Sequence, residues 1–176
     1  MPRKYFRKYL PDPEALRSSR VVTAFGAWAR HPNLWHLNRR SVSGAVAIGL
    51  FSGLVPGPLQ VLTALLLAVP LKKNLPVAVI VTLYTNPFTI VPLYVLAYAY
   101  GRLLLPGEHA AFPASFEMGW TSVGELLLVL GKPLAVGLVA LACTLAALGY
   151  VAVQLAWRAW VIAAWRARAK RRRAQP

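Results

Sequence analysis

Two long uncharged runs, each interrupted by proline, constrain this chain more than any other feature. Residues 41–71 contain no charged side chain, and neither do residues 75–101. About 20 apolar residues cross the hydrocarbon core of a membrane as a helix, so both runs exceed that length. Because 57% of the 176 residues are hydrophobic and only 14% are charged, the composition is also too apolar for an ordinary soluble domain. These features predict an all-α membrane protein.

The first run is interrupted near its middle by the motif Pro56-Gly57-Pro58. Each half of the run is too short to cross a membrane alone. Basic pairs border the run on both sides, and basic flanks stay on the cytoplasmic side of a membrane. The pattern favours a re-entrant hairpin over residues 41–71 with the motif at its tip. A single kinked helix that crosses the membrane is the alternative. The bordering pairs are Arg39, Arg40, Lys72 and Lys73.

The second run, residues 75–101, contains the segment YTNPFTIVP with helix breaks expected at Pro87 and Pro92. Backbone groups freed by proline inside a membrane need partners from protein or from a wet cavity. This run is therefore predicted to be a broken crossing helix or a second hairpin. Polar side chains near the two breaks are candidates for lining a site for a small solute or a lipid headgroup. Alternatively, they only satisfy the freed backbone. They are Gln60, Thr85, Asn86, Thr89 and Tyr94.

Small residues recur at every fourth position through the first half of the first run. Such a stripe lets another helix approach closely. Two crossing helices do not enclose a broken hairpin, whose free backbone groups must be shielded from lipid, so a homo-oligomer is expected. Gly49 and Gly53 are the expected helix-packing contacts. The stripe consists of Ser41, Ala45, Gly49, Gly53 and Gly57.

Three further segments follow or precede these runs. Residues 102–132 hold all acidic residues of the middle of the chain and are predicted to be an external loop with an interfacial helix. Residues 133–157 are predicted to be the clearest transmembrane helix, and residues 158–176 a basic cytoplasmic tail. Residues 1–40 are expected to lie on the membrane surface with an amphipathic helix from about Pro13 to Arg30. A small soluble helical cap is the alternative for this segment.

The formal net charge of +15 is concentrated at the two ends of the chain. Both termini are therefore expected in the cytoplasm, against anionic lipids. No groove-reading motif accompanies the basic ends, so nucleic acid is not favoured as a partner. With both termini inside, residues 75–101 cross outward and residues 133–157 return. In the alternative topology, residues 41–71 cross and residues 75–101 dip in from outside.

The sequence offers no constellation typical of an enzyme. His31, His36 and His109 lack metal-ligand spacing, and no nucleophile elbow, phosphate-binding glycine loop or carboxylate pair occurs. We therefore predict a non-enzyme with no catalytic, metal or cofactor site. The single cysteine, Cys143, is expected to be a packing residue.

Four ordered blocks resemble a known family: PRKYFRKYLP, HPNLWHLNRRSVSGAVAIGLFSGLVPGPLQ, NLPVAV and TNPFTIVPLY. The chain resembles the bacterial inner-membrane family called domain of unknown function 2062, over residues 2 to about 104 but not in the C-terminal third. The resemblance implies the cytoplasmic membrane of Gram-negative bacteria and supplies no catalytic residues.

Paired proline-tipped hairpins are also similar in architecture to those of DedA-type membrane proteins, which are implicated in lipid-carrier movement. The acidic and arginine residues that such transporters carry inside the membrane are missing here. The expected function is transporter-like, handling a lipid carrier or small solute at facing broken helices. The alternative is a non-catalytic membrane scaffold or envelope assembly factor.

Overall fold

The computed structural model describes residues 31–107, 111 and 120–173 of the chain. All regular structure in these residues is helical, which confirms the all-α prediction. The helix expected from Pro13 to Arg30 lies outside the described residues, as does most of the chain between 107 and 120. A short 3₁₀ helix (Pro32–Leu34) precedes five α-helices, which are α1 (Arg39–Ser52), α2 (Pro58–Ala68), α3 (Leu75–Thr82), α4 (Ile90–Leu104) and α5 (Trp120–Arg173).

Asparagine and proline residues set where these helices begin. The Asn38 side chain accepts a 2.8 Å hydrogen bond from the Ser41 amide at the start of α1, and Asn74 accepts one of 3.0 Å from the Val77 amide in α3. Prolines occupy the first turn of three helices, where an amide has no partner within the helix and its loss costs nothing. They are Pro58, Pro76 and Pro92.

The break in the second run differs from the sequence expectation, which placed breaks at both Pro87 and Pro92. Pro87 lies between helices, in the connection formed by residues 83–89, whereas Pro92 lies within the first turn of α4. Proline disrupts a helix interior but is tolerated in a first turn, and this difference accounts for the placement. The interruption is therefore confined to residues 83–89.

Helices α1 and α2 form a hairpin whose chain reversal includes Gly57. This residue has φ 58° and ψ −138°, a backbone conformation that only glycine adopts readily. Residues 69–74 return to the beginning of α1, because the Asn74 amide donates to the Ser41 carbonyl (3.4 Å) and its side chain donates to the His36 carbonyl (3.3 Å). Both ends of the hairpin thus lie together.

Helix α3 packs against α1 through the small-residue stripe. A Cβ atom built on Gly49 would lie 2.6 Å from the Ala78 carbonyl oxygen and from Val81 Cβ. A Cβ atom on Gly53 would collide with the Tyr84 ring. The close approach that the stripe predicts therefore occurs within one chain.

Helix α5 runs alongside both α1 and α4. It is interrupted once, at Gly131, whose φ of 56° and ψ of −138° match those of Gly57. After this point Gly137 lies against Ala97 of α4. Further along, Gly149 contacts Leu50 of α1.

The order of these contacts shows how α1 and α4 are arranged along α5. Ser43, near the beginning of α1, accepts a 3.1 Å hydrogen bond from Gln154, beyond the Leu50 contact. Gly101, near the end of α4, meets Pro133, at the start of the main part of α5. Helices α1 and α4 therefore lie end to end along α5, both antiparallel to it.

Apolar side chains form two clusters that correspond to this arrangement. The first cluster joins α1, α2 and α3 with Val153 and Trp157 of α5. The second joins α4 with Leu134 and Leu141 of α5 and the end of α1. Helices α1 and α5 thus both contribute to the two clusters.

Within the described residues, one helical stretch, Leu128–Arg168, is long and apolar enough to cross a membrane by length and composition. Most of its side chains are exposed rather than buried. Two shorter apolar stretches, Leu59–Ala68 and Ile90–Leu104, lie in α2 and α4. These surfaces are compatible with an apolar environment around the molecule.

Candidate functional site

The two interruptions of the uncharged runs meet one another. We call residues 50–60 together with residues 82–94 the junction. Its central contact is between the Thr85 hydroxyl and the Gln60 side-chain amide, whose oxygen lies 2.8 Å away. Since Gln60 belongs to the first turn of α2 and Thr85 follows α3, this contact joins the two breaks directly.

The Thr85 hydroxyl lies near more hydrogen-bond acceptors than its single proton can satisfy. Its oxygen lies 2.6 Å from the Gly53 carbonyl and 3.0 Å from the Thr82 carbonyl, in addition to the Gln60 contact. A hydroxyl has one proton to donate and can accept two hydrogen bonds. With the Gln60 amide turned over, its NH₂ group donates to Thr85 while Thr85 donates to Gly53, and the cluster is better satisfied. Thr85 is buried, so these hydrogen bonds are shielded from bulk solvent.

Two tyrosines cover the open end of α1. The Tyr84 hydroxyl donates to the Leu50 carbonyl (2.8 Å), and the Tyr94 hydroxyl donates to the Leu54 carbonyl (3.2 Å). Carbonyls at the end of a helix have no partner within that helix. The tyrosines therefore satisfy backbone groups that the chain reversal leaves free, in a part of the molecule where Tyr94 is almost fully buried.

Asn86 and Thr89 act locally instead of joining Gln60. The Asn86 side chain accepts hydrogen bonds from the amides of Phe88 (2.9 Å) and Thr89 (3.2 Å). The Thr89 hydroxyl donates to the Tyr84 carbonyl (2.7 Å) and accepts from the Asn86 amide (2.9 Å). This is an Asx-type turn that leads into α4, and Asn86 is exposed. Of the five candidate lining residues, the structure thus brings Gln60, Thr85 and Tyr94 to the interface between the breaks.

Sequence reasoning missed two residues of the junction. Ser52 is fully buried, and its hydroxyl has no hydrogen-bond partner among the described residues. Tyr84 was not a candidate, although it precedes Thr85 directly. The available signal for both was position, because Ser52 adjoins the stripe glycine Gly53 and Tyr84 lies three residues before the predicted break at Pro87.

Sequence reasoning also missed the closest helix crossing in the molecule's described part. A Cβ atom on Gly101 would collide with the Pro133 carbonyl, and one on Gly137 would collide with the Ala97 carbonyl. Small residues spaced by four, Ala97 with Gly101 and Pro133 with Gly137, were the available signal.

Residues outside the junction have plainer roles. Cys143, expected to be a packing residue, is exposed on α5 because its face of the helix points away from both clusters. His31 accepts a 3.2 Å hydrogen bond from the Asn33 amide and caps the 3₁₀ helix, and His36 is exposed. His109 lies outside the described residues.

The chemistry available at the junction is that of hydrogen bonding. Residues 50–60 and 82–94 contain hydroxyls, amides and backbone carbonyls, but no carboxylate, imidazole, thiol or amine side chain. Such groups recognise polar head groups by donating and accepting hydrogen bonds.

Comparison with known proteins identifies the family. No curated protein and no solved structure matches the chain. The family model described as "Uncharacterized protein conserved in bacteria (DUF2062)" matches residues 22–166. The match confirms the resemblance from residue 22 onward. It also extends past residue 104 through most of α5, where no resemblance was expected from the sequence. The chain therefore belongs to the bacterial family called domain of unknown function 2062.

Proposed function

We propose that the chain is a multi-pass protein of the bacterial inner membrane with both termini in the cytoplasm. In this proposal α1 and α2 form a hairpin that enters and leaves from the cytoplasmic side. Helices α3 and α4 form one broken crossing, and α5 returns. The junction then lies near the middle of the bilayer.

Helix lengths support this placement. With 14 residues in α1 and 11 in α2, the two helices are about 21 Å and about 16 Å long. A hydrocarbon core is about 30 Å thick, so the hairpin reaches roughly its middle. The end-to-end order of α1 and α4 along α5 is consistent with one crossing assembled from two half-depth elements.

Charge and exposure support the same orientation. The cationic residues at the beginning of α1, in the α2–α3 connection and after Trp157 all belong to one end of the molecule. Basic residues remain on the cytoplasmic side. Exposed leucines on α2 suit contact with acyl chains, and they include Leu59, Leu62 and Leu66.

Labelling of single cysteines tests this topology, in a chain with Cys143→Ala. We expect Lys72→Cys to react with a membrane-impermeant maleimide only after the inner membrane is opened. Pro106→Cys should react from the periplasmic side, and Leu59→Cys should be protected on both sides. Reaction of Lys72→Cys from the periplasm would reverse the proposed orientation.

For activity, we propose that the junction handles the polar head of a lipid carrier or small amphipathic solute. The observation that carries this proposal is the Gln60–Thr85 contact, which joins the two breaks (2.8 Å). Transporters commonly build solute sites where broken helices face each other near the middle of the membrane. The buried, unpaired Ser52 hydroxyl offers a further polar group for a ligand.

A second candidate is a non-catalytic scaffold or envelope assembly factor. The observation that favours it is that the hydroxyls of Tyr84, Thr85 and Tyr94 each lie on a backbone carbonyl of the α1 end. In this candidate function the junction only locks the hairpin against its neighbours. The basic terminal segments, 1–40 and 158–176, would then carry the interactions with other envelope components.

Proteoliposomes distinguish the two candidates. The probes are a fluorescent phosphatidylglycerol and a fluorescent polyisoprenyl phosphate. Dithionite added outside bleaches only the probe in the outer leaflet, and the readout is the bleached fraction of the probe over time. A lipid-handling protein accelerates bleaching of the inner-leaflet probe, and Gln60→Leu slows it without loss of folded protein. Thr63→Val, which removes a hydroxyl on α2 outside the junction that bonds to the Leu59 carbonyl (2.8 Å), serves as the control and should retain the wild-type rate. A wild-type rate equal to that of empty liposomes, or loss of folded Gln60→Leu protein, would favour the scaffold.

A further inference from the structure

Cationic side chains from three distant parts of the chain converge at the beginning of α1. Arg39 and Arg40 are its first two residues. The α2–α3 connection is held there because the Asn74 amide bonds to the Ser41 carbonyl (3.4 Å). Helix α5 is held there because Gln154 bonds to Ser43 (3.1 Å).

The contacts place the individual charges. The methylene stem of Lys73 lies over Gly44, since a Cβ atom on this glycine would be 2.6 Å from Lys73 Cδ and 2.7 Å from Cε. Arg158 follows Gln154 by about one helical turn. Because α1 and α5 are antiparallel, Arg158 lies beside the first turn of α1. We call Arg39, Arg40, Lys73 and Arg158 the basic cradle.

The basic cradle has no acidic partner in the described part of the chain. No Asp or Glu occurs between residues 31 and 107 or between 126 and 173. Glu125, the one acidic residue that the structure describes, precedes Gly131 at the opposite end of α5. Like charges held close together repel, and cations in a first helical turn also oppose the helix dipole. An anion seated among these side chains relieves both costs.

An apolar surface continues from the basic cradle. Leu71, which adjoins Lys72 in the α2–α3 connection, is half exposed. Leu59, Leu62 and Leu66 are exposed along α2 at a helical spacing, and they lead from the connection towards the junction. A ligand with an anionic head and a long apolar tail matches both surfaces, whereas free phosphate or nucleic acid uses only the cradle.

We propose that the basic cradle is a binding site for the phosphate of an anionic phospholipid whose acyl chain lies along α2. The proposal rests on the membrane placement described under Proposed function and does not require lipid movement. Arginine and lysine bind the phosphate through charge-assisted hydrogen bonds. The Lys73 stem on Gly44 fixes one of these donors in place.

Lipid titration of the full-length chain in a zwitterionic detergent tests the site. The probes are phosphatidylglycerol and phosphatidylcholine, and binding is followed by tryptophan fluorescence. The wild type should bind phosphatidylglycerol more tightly than phosphatidylcholine. Arg40→Gln with Lys73→Gln should weaken phosphatidylglycerol binding about tenfold. Arg166→Gln with Arg168→Gln, which removes the same charge further along α5, should change it less than about twofold.

Gly44→Ala tests the placement of the Lys73 side chain separately from its charge, because the added methyl group displaces the Lys73 stem and leaves the net charge unchanged. We expect this variant to lose most of the preference for phosphatidylglycerol while remaining folded. Equal weakening by the two double substitutions, an unchanged Gly44→Ala affinity, or displacement of the lipid by inorganic phosphate or an RNA oligonucleotide would overturn the proposal. Failure of the membrane placement itself would appear separately, in the cysteine-labelling pattern.

Discussion

At the scale of single residues, the Thr85 hydroxyl ties the two chain interruptions together. It lies within hydrogen-bond distance of the end of α1, the start of α2 and the end of α3. A buried hydrogen bond adds little net stability by itself. Removing the hydroxyl costs more, because the buried carbonyls are then left without a donor. Its removal is therefore a direct measure of how strongly the junction holds.

We predict that Thr85→Val destabilises the protein by about 1–3 kcal/mol, because the isosteric side chain leaves the Gly53 carbonyl without its donor. Unfolding in mixed detergent and SDS measures the change. Tyr100→Phe is the control. Among the described residues the Tyr100 hydroxyl meets only Thr144 (3.3 Å), whose own hydroxyl already bonds to the Ala140 carbonyl. An equal effect of the two substitutions would contradict a special role for Thr85.

Lys72 adopts a left-handed conformation, with φ 53°, after the end of α2. The Lys73 amide bonds to the Ala68 carbonyl (2.9 Å) and the Lys72 amide to the Val69 carbonyl (3.1 Å), which is a Schellman ending that glycine normally provides. We predict that Lys72→Gly raises the free energy of unfolding by about 1 kcal/mol. Lys73→Gly, which loses the packing on Gly44, should lower it. Chemical denaturation in detergent compares them, and destabilisation by Lys72→Gly would show that its charge outweighs its backbone strain.

At the scale of helices, the crossing of α4 and α5 depends on direct backbone contact. Neither Gly101 nor Gly137 has room for a methyl group, because the neighbouring atoms are backbone atoms of the other helix. Backbone cannot rotate away as a side chain can. The crossing is therefore less tolerant of substitution than the rest of α5.

We predict that Gly101→Ala or Gly137→Ala destabilises the protein by about 2 kcal/mol or more, since overpacking forces the two helices apart. Gly149→Ala on the same helix is the control. Its added methyl group meets the Leu50 side chain, which can change rotamer, and alanine favours the helix by about 1 kcal/mol over glycine. Thermal denaturation of the detergent-solubilised variants tests the ranking. Similar losses at all three positions would mean that the crossing is looser than the geometry indicates.

The sequence predicts several elements well, and the physical reasons are local. Pro56-Gly57-Pro58 predicts a chain reversal because proline removes a helix bond and glycine supplies the positive φ. The helix break predicted at Pro92 was wrong, because the effect of a proline depends on which turn of the helix it occupies. The partners of Tyr84 and of Gly101 could not be read from the sequence, since they depend on how distant helices cross. The same limit applied to Cys143, whose exposure is decided by which face of α5 the two clusters use.

At the scale of the whole molecule, α5 packs along both apolar clusters, with Leu134 and Leu141 in the second and residues further along the helix against the first. Its residues from Arg158 to Arg168 are largely exposed. Residues Val153, Gln154 and Trp157, by contrast, pack on or bond to the first cluster and α1. Stability should therefore depend on where α5 ends.

We predict that a chain stopping after Arg166 folds as the full chain does, whereas one stopping after Tyr150 loses the first cluster. The shorter chain lacks the apolar cover from Val153 and Trp157 and the Gln154 bond to Ser43. Limited proteolysis of α1–α3 and the yield of monodisperse protein measure the difference. Intact protection of the chain that stops after Tyr150 would show that α1, α2 and α3 fold without α5.

The place of α5 after α1 to α4 in the chain has a consequence for biosynthesis. Segments emerge from the ribosome in order, so α1 to α4 are complete while the helix that bridges them is still being translated. Until then, the apolar faces of α1 and α4 that contact α5 remain uncovered, and exposed apolar surface of this kind favours aggregation. The packing that joins α1 and α4 is therefore completed only once α5 has been translated.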